Sequence, residues 1–363
     1  MTTPLPTIRG LHARPVNVPL ARPLHTGGGV VATAPLVLID VLTEEGITGR
    51  AYVFVYTPLA LRPVVALLTG LADTLKGQPV APFVIERALQ KRFRLLGPQG
   101  LTGIALAGID MALWDALAVA AGLPLVRLLG GAPRPVPAYN SCGLGLVGVE
   151  RAAVEAPELA RGFSAIKVRL GYATLAEDVD VVRAVRGAVG GSVRLMADYN
   201  QSLTVPDAVR RLRTLDAEGL EWVEEPTRAE DATGHAHISR EVHTPIQLGE
   251  NWWGTADMAK SLAAGASDLV MPDAMKIGGI TGWLRAAALA EATGLPLSSH
   301  LFPEISAHLM AVTPTAHWLE YVEFSNPVLE TPLEIRDGHA IIPDRPGIGL
   351  SWNEGAVERF LVG

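Results

Sequence analysis

The sequence predicts an α/β fold, a modified (β/α)8-type barrel preceded by an α+β unit. Three observations predict it. Eight strand-like runs, at 136–142, 165–170, 193–200, 220–226, 246–251, 268–274, 296–301 and 318–323, alternate with helical stretches. Residues 8–58 read as strands and 59–128 as helices, the order of a separate α+β unit. Asp198, Glu224 and Glu250 each close a short apolar run, at intervals of 26 and again 26 residues. That interval is about one strand, one helix and two loops, so it returns the chain to the same end of neighbouring parallel strands.

In order, Leu36-Val37-Leu38-Ile39-Asp40-Val41 is rich in β-formers, and Glu44-Glu45-Gly46 turns the chain into a strand over Thr48–Tyr56. Ile109, Ala112, Leu113, Ala116 and Leu117 fall at helical spacing. Gly130-Gly131-Ala132-Pro133-Arg134-Pro135 is the best boundary. The expected domains are a first unit over 1–132, a barrel over 133–330 and a tail over 331–363 that packs back on the first unit. The tail carries the turn Asp344-Arg345-Pro346-Gly347.

The chain has 363 residues, 49% hydrophobic and 18% charged, which fits a well-buried globular enzyme and excludes disorder. The net charge is −7 and no basic cluster occurs, so no nucleic-acid partner is expected. One cysteine, Cys142, excludes an intrachain disulfide and fits a cytoplasmic setting. Met1-Thr2-Thr3-Pro4-Leu5-Pro6 has no charged start followed by an apolar core, so no signal peptide is read. Apolar stretches such as Ala116–Leu123 are short, so no membrane span is expected.

Three carboxylates on adjacent strand ends repel one another unless a cation sits between them, and oxygen-only ligands suit Mg²⁺. Asp198, Glu224 and Glu250 are therefore the candidate metal ligands. Lys167 and Arg169 lie two apart on one strand and point to one side, where buried cations need an anion. Asp273 and His300 end consecutive runs, so the carboxylate can orient the imidazole and raise its basicity. Glu320, on the last strand, reads equally as a fourth ligand, a general acid or a structural group. Asn200 shares the face of Asp198 and reads as a donor to substrate oxygen or as a turn residue. Lys276 reads by default as a surface lysine. His235, His237 and His243 match no zinc spacing and read as helix-surface residues. Gly278-Gly279 can open a helix and offers a weak anion-binding signal.

Several stretches resemble mandelate racemase and its subgroup of the enolase superfamily. They are Asp198-Tyr199-Asn200-Gln201-Ser202-Leu203, Glu224-Glu225-Pro226-Thr227, Gly249-Glu250-Asn251-Trp252 and Ser298-Ser299-His300-Leu301-Phe302. Met271-Pro272-Asp273-Ala274-Met275-Lys276-Ile277-Gly278-Gly279, Glu304-Ile305-Ser306-Ala307-His308-Leu309 and Thr313-Pro314-Thr315-Ala316-His317-Trp318-Leu319-Glu320 join them. So do Asn17-Val18-Pro19-Leu20 and Ala34–Asp40, and the likeness spans nearly the whole chain. The resemblance implies a (β/α)7β barrel with the first unit as its cap. It implies one Mg²⁺ on Asp198, Glu224 and Glu250, and α-proton abstraction from a 2-hydroxy carboxylate through a stabilised enediolate. Lys167 would face the substrate carboxylate, and a protonated Glu320 would donate to its other oxygen. His300, oriented by Asp273, would take or return the proton. Asn200 would support the hydroxyl, and Lys276 the surroundings of the dyad.

The departure is Arg169, where the racemase pattern has a lysine as second base. Arginine stays protonated and is a poor base. Either Arg169 still shuttles the proton, or it only binds and His300 works from one side. The positions matching the family's substrate cap are Leu24, Thr26, Gly28, Val31 and Tyr56, joined by Leu301 and Val322. They are mostly apolar and fit an aryl or alkyl 2-hydroxy acid, while Arg22 and Arg94 keep an acid sugar open. The expectation is racemisation of a mandelate-like acid, with acid-sugar dehydration by His300 as the alternative. A carboxylate-binding protein without turnover is the reading from another class. A homo-oligomer acting on a small-molecule carboxylate is expected.

Overall fold

The computed structural model describes residues 5–363; residues 1–4, within the stretch read for an export signal, lie outside the described residues. The first unit opens with an antiparallel sheet of β1 (Ile8–Thr26), β2 (Gly29–Thr43) and β3 (Thr48–Phe54). The turn expected at Glu44–Gly46 joins β2 to β3. Helices α1 (Leu61–Leu75), α2 (Pro82–Arg92) and α3 (Gly100–Ala120) follow. α1 buries Leu61, Val64, Leu68, Leu71 and Leu75, a single stripe at helical spacing.

α3 corrects the expectation that apolar stretches are short. Its 21 residues are long and apolar enough to cross a bilayer, as are Pro58–Leu75. Yet 83% of the α3 window is buried inside the protein, so its apolar surface meets protein. It sits so close to β3 that a Cβ on Gly49 would come 2.1 Å from the Ala112 carbonyl oxygen. Only glycine admits that approach.

After α4 (Leu125–Leu128) the chain enters the barrel with β4 (Val136–Asn140) and α5 (Val149–Leu159). Then come β5 (Ala165–Arg169), α6 (Leu175–Val189), β6 (Arg194–Asp198) and α7 (Val205–Leu215). β7 (Val223–Glu224), α8 (Ala232–Glu241), β8 (Ile246–Leu248) and α9 (Thr255–Ala264) continue the alternation. β9 (Leu269–Val270), α10 (Gly279–Thr293), α11 (Pro303–Ala311) and β10 (Leu319–Tyr321) complete it. β4 to β9 pair in order, parallel throughout, and β10 returns to pair with β4. The run expected as a strand at 296–301 forms only single bridges, Val270 with Leu297, Asp273 with His300, and Leu297 with Ala316. Pro272 and Pro296 lack N–H donors, which interrupts a ladder there. Below the strand ends, Tyr139, Ala165, Met196, Trp222 and Leu269 fill the barrel interior.

The tail forms a hairpin of β11 (Glu334–Arg336) and β12 (His339–Ile341), then α12 (Glu354–Phe360). It touches both units. β12 pairs antiparallel with β4, and the Val362 N–H donates to the Pro15 carbonyl at 2.9 Å. The Trp352 indole N–H donates to Asp40 at 2.8 Å.

Two sequence readings change here. His235 is fully buried on α8, with Nδ1 3.0 Å from the Asp231 carbonyl, whereas His237 and His243 are exposed as expected. Burial lowers the His235 pKa. Gly279 does open a helix, but the anion at that helix start is the chain's own Asp110. Its carboxylate accepts from the Thr281 N–H at 2.9 Å and hydroxyl at 2.6 Å, joining α3 to α10.

His308 on α11 holds another joint. Its Nδ1 accepts the Val126 N–H at 3.2 Å, and Nε2 donates to the Ile348 carbonyl at 3.0 Å, the tautomer those partners require. The ring must be neutral, and burial lowers its pKa from 6.5 to about 4. The unfolded chain takes up a proton below pH 6.5 that the folded chain refuses, so stability falls on acidification through this window. Between pH 7 and pH 4.5, wild type should lose about 2 kcal/mol relative to His308→Gln, measured by urea unfolding.

Candidate metal and substrate site

The parallel register brings the charged residues together. Arg169 is paired with Asp198, and Asp198 with Glu224, across β5, β6 and β7. Glu250 follows β8 by two residues. One carboxylate oxygen each of Asp198, Glu224 and Glu250 lies within 4.8 Å of the other two, and all three residues are buried. Gly249 makes room for this turn at φ 143°, since a Cβ there would meet the Met271 backbone at 2.7 Å.

Lys167 sits beneath the trio. Its Nζ is 2.9 Å from Glu224, 3.4 Å from Asp198 and 2.8 Å from Glu320. Burial alone would lower the lysine pKa, but Glu224 and Glu320 hold it well above the ordinary value. Burial raises the pKa of Asp198 and of Glu224, and the negative neighbours add to it against the pull of Lys167. Such a group of buried oxygens, more anionic than its surroundings can balance, fits a hard divalent cation.

His300 Nδ1 lies 2.7 Å from Asp273 Oδ2. The other carboxylate oxygen of Asp273 accepts the Met275 and Lys276 N–H groups at 2.8 and 2.9 Å. His300 Nε2 is 3.2 Å from Glu250 and 3.9 Å from Glu320. Burial opposes charge on His300, but Glu250, Glu320 and Asp273 raise its pKa to about 9. Burial likewise opposes charge on Glu250, and His300 and Lys276 overcome it, setting that carboxyl at about 2.

Glu320, read as a protonated donor to the substrate carboxylate, lies against Lys167. It accepts from Lys167 and, at 2.9 Å, from the Leu301 N–H. Lys167 and His300 hold its pKa below the usual range despite burial. Lys276 is not a surface residue. It is 6% exposed, and its Nζ lies 2.5 Å from Asn251 Oδ1 and 4.4 Å from the Tyr56 ring centre. Asn200 donates to Asp198 at 2.9 Å.

A cavity of about 580 Å³ opens above these groups. Lys167, Arg169, Asp198, Asn200, Glu250, Lys276, His300 and Glu320 line its floor. Leu24, Thr26, Gly28, Val31, Tyr56, Leu301 and Val322 line it as read from sequence, with Phe54, Leu101, Ile104, Trp253 and Phe324 added. Glu224 and Asp273 lie behind the lining, fully buried. Arg22 instead pairs with Glu158 at 3.1 Å, and Arg94 is exposed and outside the lining. Tyr56, Asn200, Gln201 and Leu301 take positive φ around this cavity, backbone strain of the kind concentrated at functional sites.

Sequence reading missed Asn251 and Glu225, which share two hydrogen bonds of 2.9 and 2.8 Å beside the trio. Each directly follows an assigned ligand, and that adjacency was the available signal. It also missed Ser141 and Gly143, which hold Arg169. They stand just past β4 and act largely through backbone carbonyls, which no side-chain type in the sequence announces.

Comparison with known proteins agrees with this geometry. Residues 8–130 match the model of the mandelate racemase / muconate lactonizing enzyme N-terminal domain, and residues 150–356 that of the enolase C-terminal domain-like family. The L-talarate/galactarate dehydratase of Salmonella typhimurium is 34% identical, covering 88% of this chain and 81% of its own length. The 3,6-anhydro-alpha-L-galactonate cycloisomerase of Streptomyces coelicolor is 33% identical, with 92% and 94% covered. Among solved structures, an enolase from Bradyrhizobium complexed with magnesium and mandelic acid superposes with a TM-score of 0.95 at 45% identity over 100% of both chains. An enolase from the alpha-proteobacterium bal199, with bound magnesium, gives 0.96 at 46% identity over 98% and 99%.

Gly249→Ala should weaken Mg²⁺ binding at least about tenfold in isothermal titration, because it displaces Glu250. It should also lower stability by about 1–3 kcal/mol through backbone strain.

Proposed function

The chain belongs to the mandelate racemase / muconate lactonizing enzyme family of the enolase superfamily, whose members use Mg²⁺, and from that premise we propose that it removes the α-proton of a 2-hydroxy carboxylate. The observation that carries this reading is His300, held by Asp273, in a cavity floored by Lys167, Asp198 and Glu250 with Glu224 just behind. Asp273 is itself fixed by two backbone N–H groups, so it holds the Nδ1 side of the ring, and a cation on Glu250 would draw that carboxylate's charge away from Nε2 and leave it free to act as base. Removing a proton beside a carboxylate is slow because charge builds on the oxygens, and preplaced donors answer that charge. Asp198, Glu224 and Glu250 would hold the Mg²⁺, which would supply positive charge to answer that build-up. Lys167 adds a buried ammonium on the same side, and Asn200 donates toward the hydroxyl. The apolar walls exclude water and take the distal group.

One-sided chemistry is the favoured outcome. Arg169 stands where the racemase pattern has a second base, and arginine does not release its proton in ordinary protein settings. His300 takes the α-proton. The bond from the next carbon to its hydroxyl then breaks, and that hydroxyl leaves as water with the proton from His300, giving an enol that becomes the 2-keto acid when the next carbon gains a proton from water and the 2-hydroxyl releases one. The dehydratases among the relatives support this reading. Racemisation of a mandelate-like acid is the second reading, favoured by the apolar walls and by the mandelic acid in the Bradyrhizobium structure.

Proton NMR in D₂O with Mg²⁺ separates the two. Exchange at the α-carbon of one enantiomer only, with water loss where a 3-hydroxyl is present, is the expected result. Appearance of the opposite enantiomer would move the assignment to racemase. His300→Asn should slow exchange by about 10²- to 10⁴-fold, the usual contribution of a general base.

A further inference from the structure

We propose that Arg169 is a substrate-binding residue, and that it selects a 2-hydroxy acid with a second hydroxyl on the adjacent carbon and an apolar remainder. The inference rests on the proposed function and narrows its substrate class.

Arg169 is 4% exposed and lines the cavity. Its Nη1 donates to the Ser141 and Gly143 carbonyls at 2.9 and 2.8 Å, and Nη2 donates to the Ser141 hydroxyl at 2.7 Å. These three bonds hold the guanidinium plane as a fork. All three acceptors are neutral. Among the described residues no carboxylate oxygen comes within 4.0 Å of this cation, whereas Lys167, two residues away, touches three carboxylates. The Nε–H is buried and has no acceptor. A buried cation with an unmet donor is costly unless something arrives to satisfy it. The Nε itself is shut away from the cavity, but Nη2 keeps a second N–H for which the described residues supply no acceptor, and Arg169 lines the cavity from which one arrives. The α-hydroxyl and carboxylate belong to the floor around Lys167 and the acidic trio, so the oxygen facing Arg169 is the next along the substrate.

Beyond that oxygen the walls change character. Leu24, Val31, Phe54, Ile104 and Phe324 make up most of the remaining wall, with Thr26, Thr57 and Gln201 as scattered polar groups. Arg22 is engaged by Glu158, and Arg94 lies outside. A polyhydroxylated chain or a second carboxylate would leave most of its oxygens unpaired against these apolar groups, whereas an aryl or branched alkyl group would not.

The test measures Kd in the presence of Mg²⁺, in the His300→Asn background so that ligands are not consumed. The ligands are 2,3-dihydroxy-3-phenylpropanoate and its 3-deoxy counterpart 2-hydroxy-3-phenylpropanoate, in all stereoisomers. A charged donor meeting the extra hydroxyl should favour the best dihydroxy isomer about tenfold or more. With Arg169→Met added, the ratio of the two Kd values should fall to about one. Equal affinities without the Arg169 change, or a ratio that survives Arg169→Met, would overturn the proposal. The first comparison needs no change at Arg169, so it stands even if Arg169→Met does not fold. The unaltered enzyme separates the two levels of inference. If it exchanges the α-proton of both acids while their affinities are equal, only the role of Arg169 is overturned. If neither acid binds or exchanges, the proposed function goes with it.

Discussion

Six carboxyl groups, those of Asp198, Glu224, Glu225, Glu250, Asp273 and Glu320, are buried at one end of the barrel. The cationic groups buried with them are four: Lys167, Arg169, Lys276 and His300. The carboxyls outnumber the cations, an excess of negative charge of the sign that a divalent cation offsets. The imbalance shows in the acids themselves. Burial and negative neighbours raise the pKa of Asp198 and Glu224, and push Glu225 to about 8. Glu250 and Glu320, which lie against His300 and Lys167, are held low.

The scaffold serves this concentration of charge. Parallel pairing sets the ligands side by side without reliance on loops, and the packed floor of Tyr139, Met196 and Trp222 keeps water from below. The first unit closes the mouth from above and is bound to the barrel by buried polar joints. Asp110 reaches the start of α10, and Asp115 accepts the N–H groups of Arg50 and Ile348, so α3 anchors both the sheet and the tail. Burial raises these two acids to about 7 and about 6.

The trio and the dyad were legible because parallel strands convert an even spacing in sequence into adjacency in space. Asp198, Glu224 and Glu250 are such a series, and Asp273 and His300 share a bridge. What escaped was set by partners distant in sequence. Nothing local to Arg169 announces the Ser141 and Gly143 carbonyls that hold it, and nothing near Gly279 announces Asp110. His235 looks like a surface residue until α8 is packed. The interrupted strand at 296–301 follows from proline's missing donor, a local cause whose effect appears only when neighbours are assigned.

The central claim is that the buried charge excess is completed by a single divalent ion. Thermal unfolding followed across a Mg²⁺ titration, with isothermal titration of the same sample, tests it most directly. One Mg²⁺ per chain should bind and raise stability by about 2.7 kcal/mol at a hundredfold excess over Kd, and Asp198→Asn should largely abolish the effect. Stability that does not respond to Mg²⁺, or a response that survives Asp198→Asn unchanged, would contradict the account.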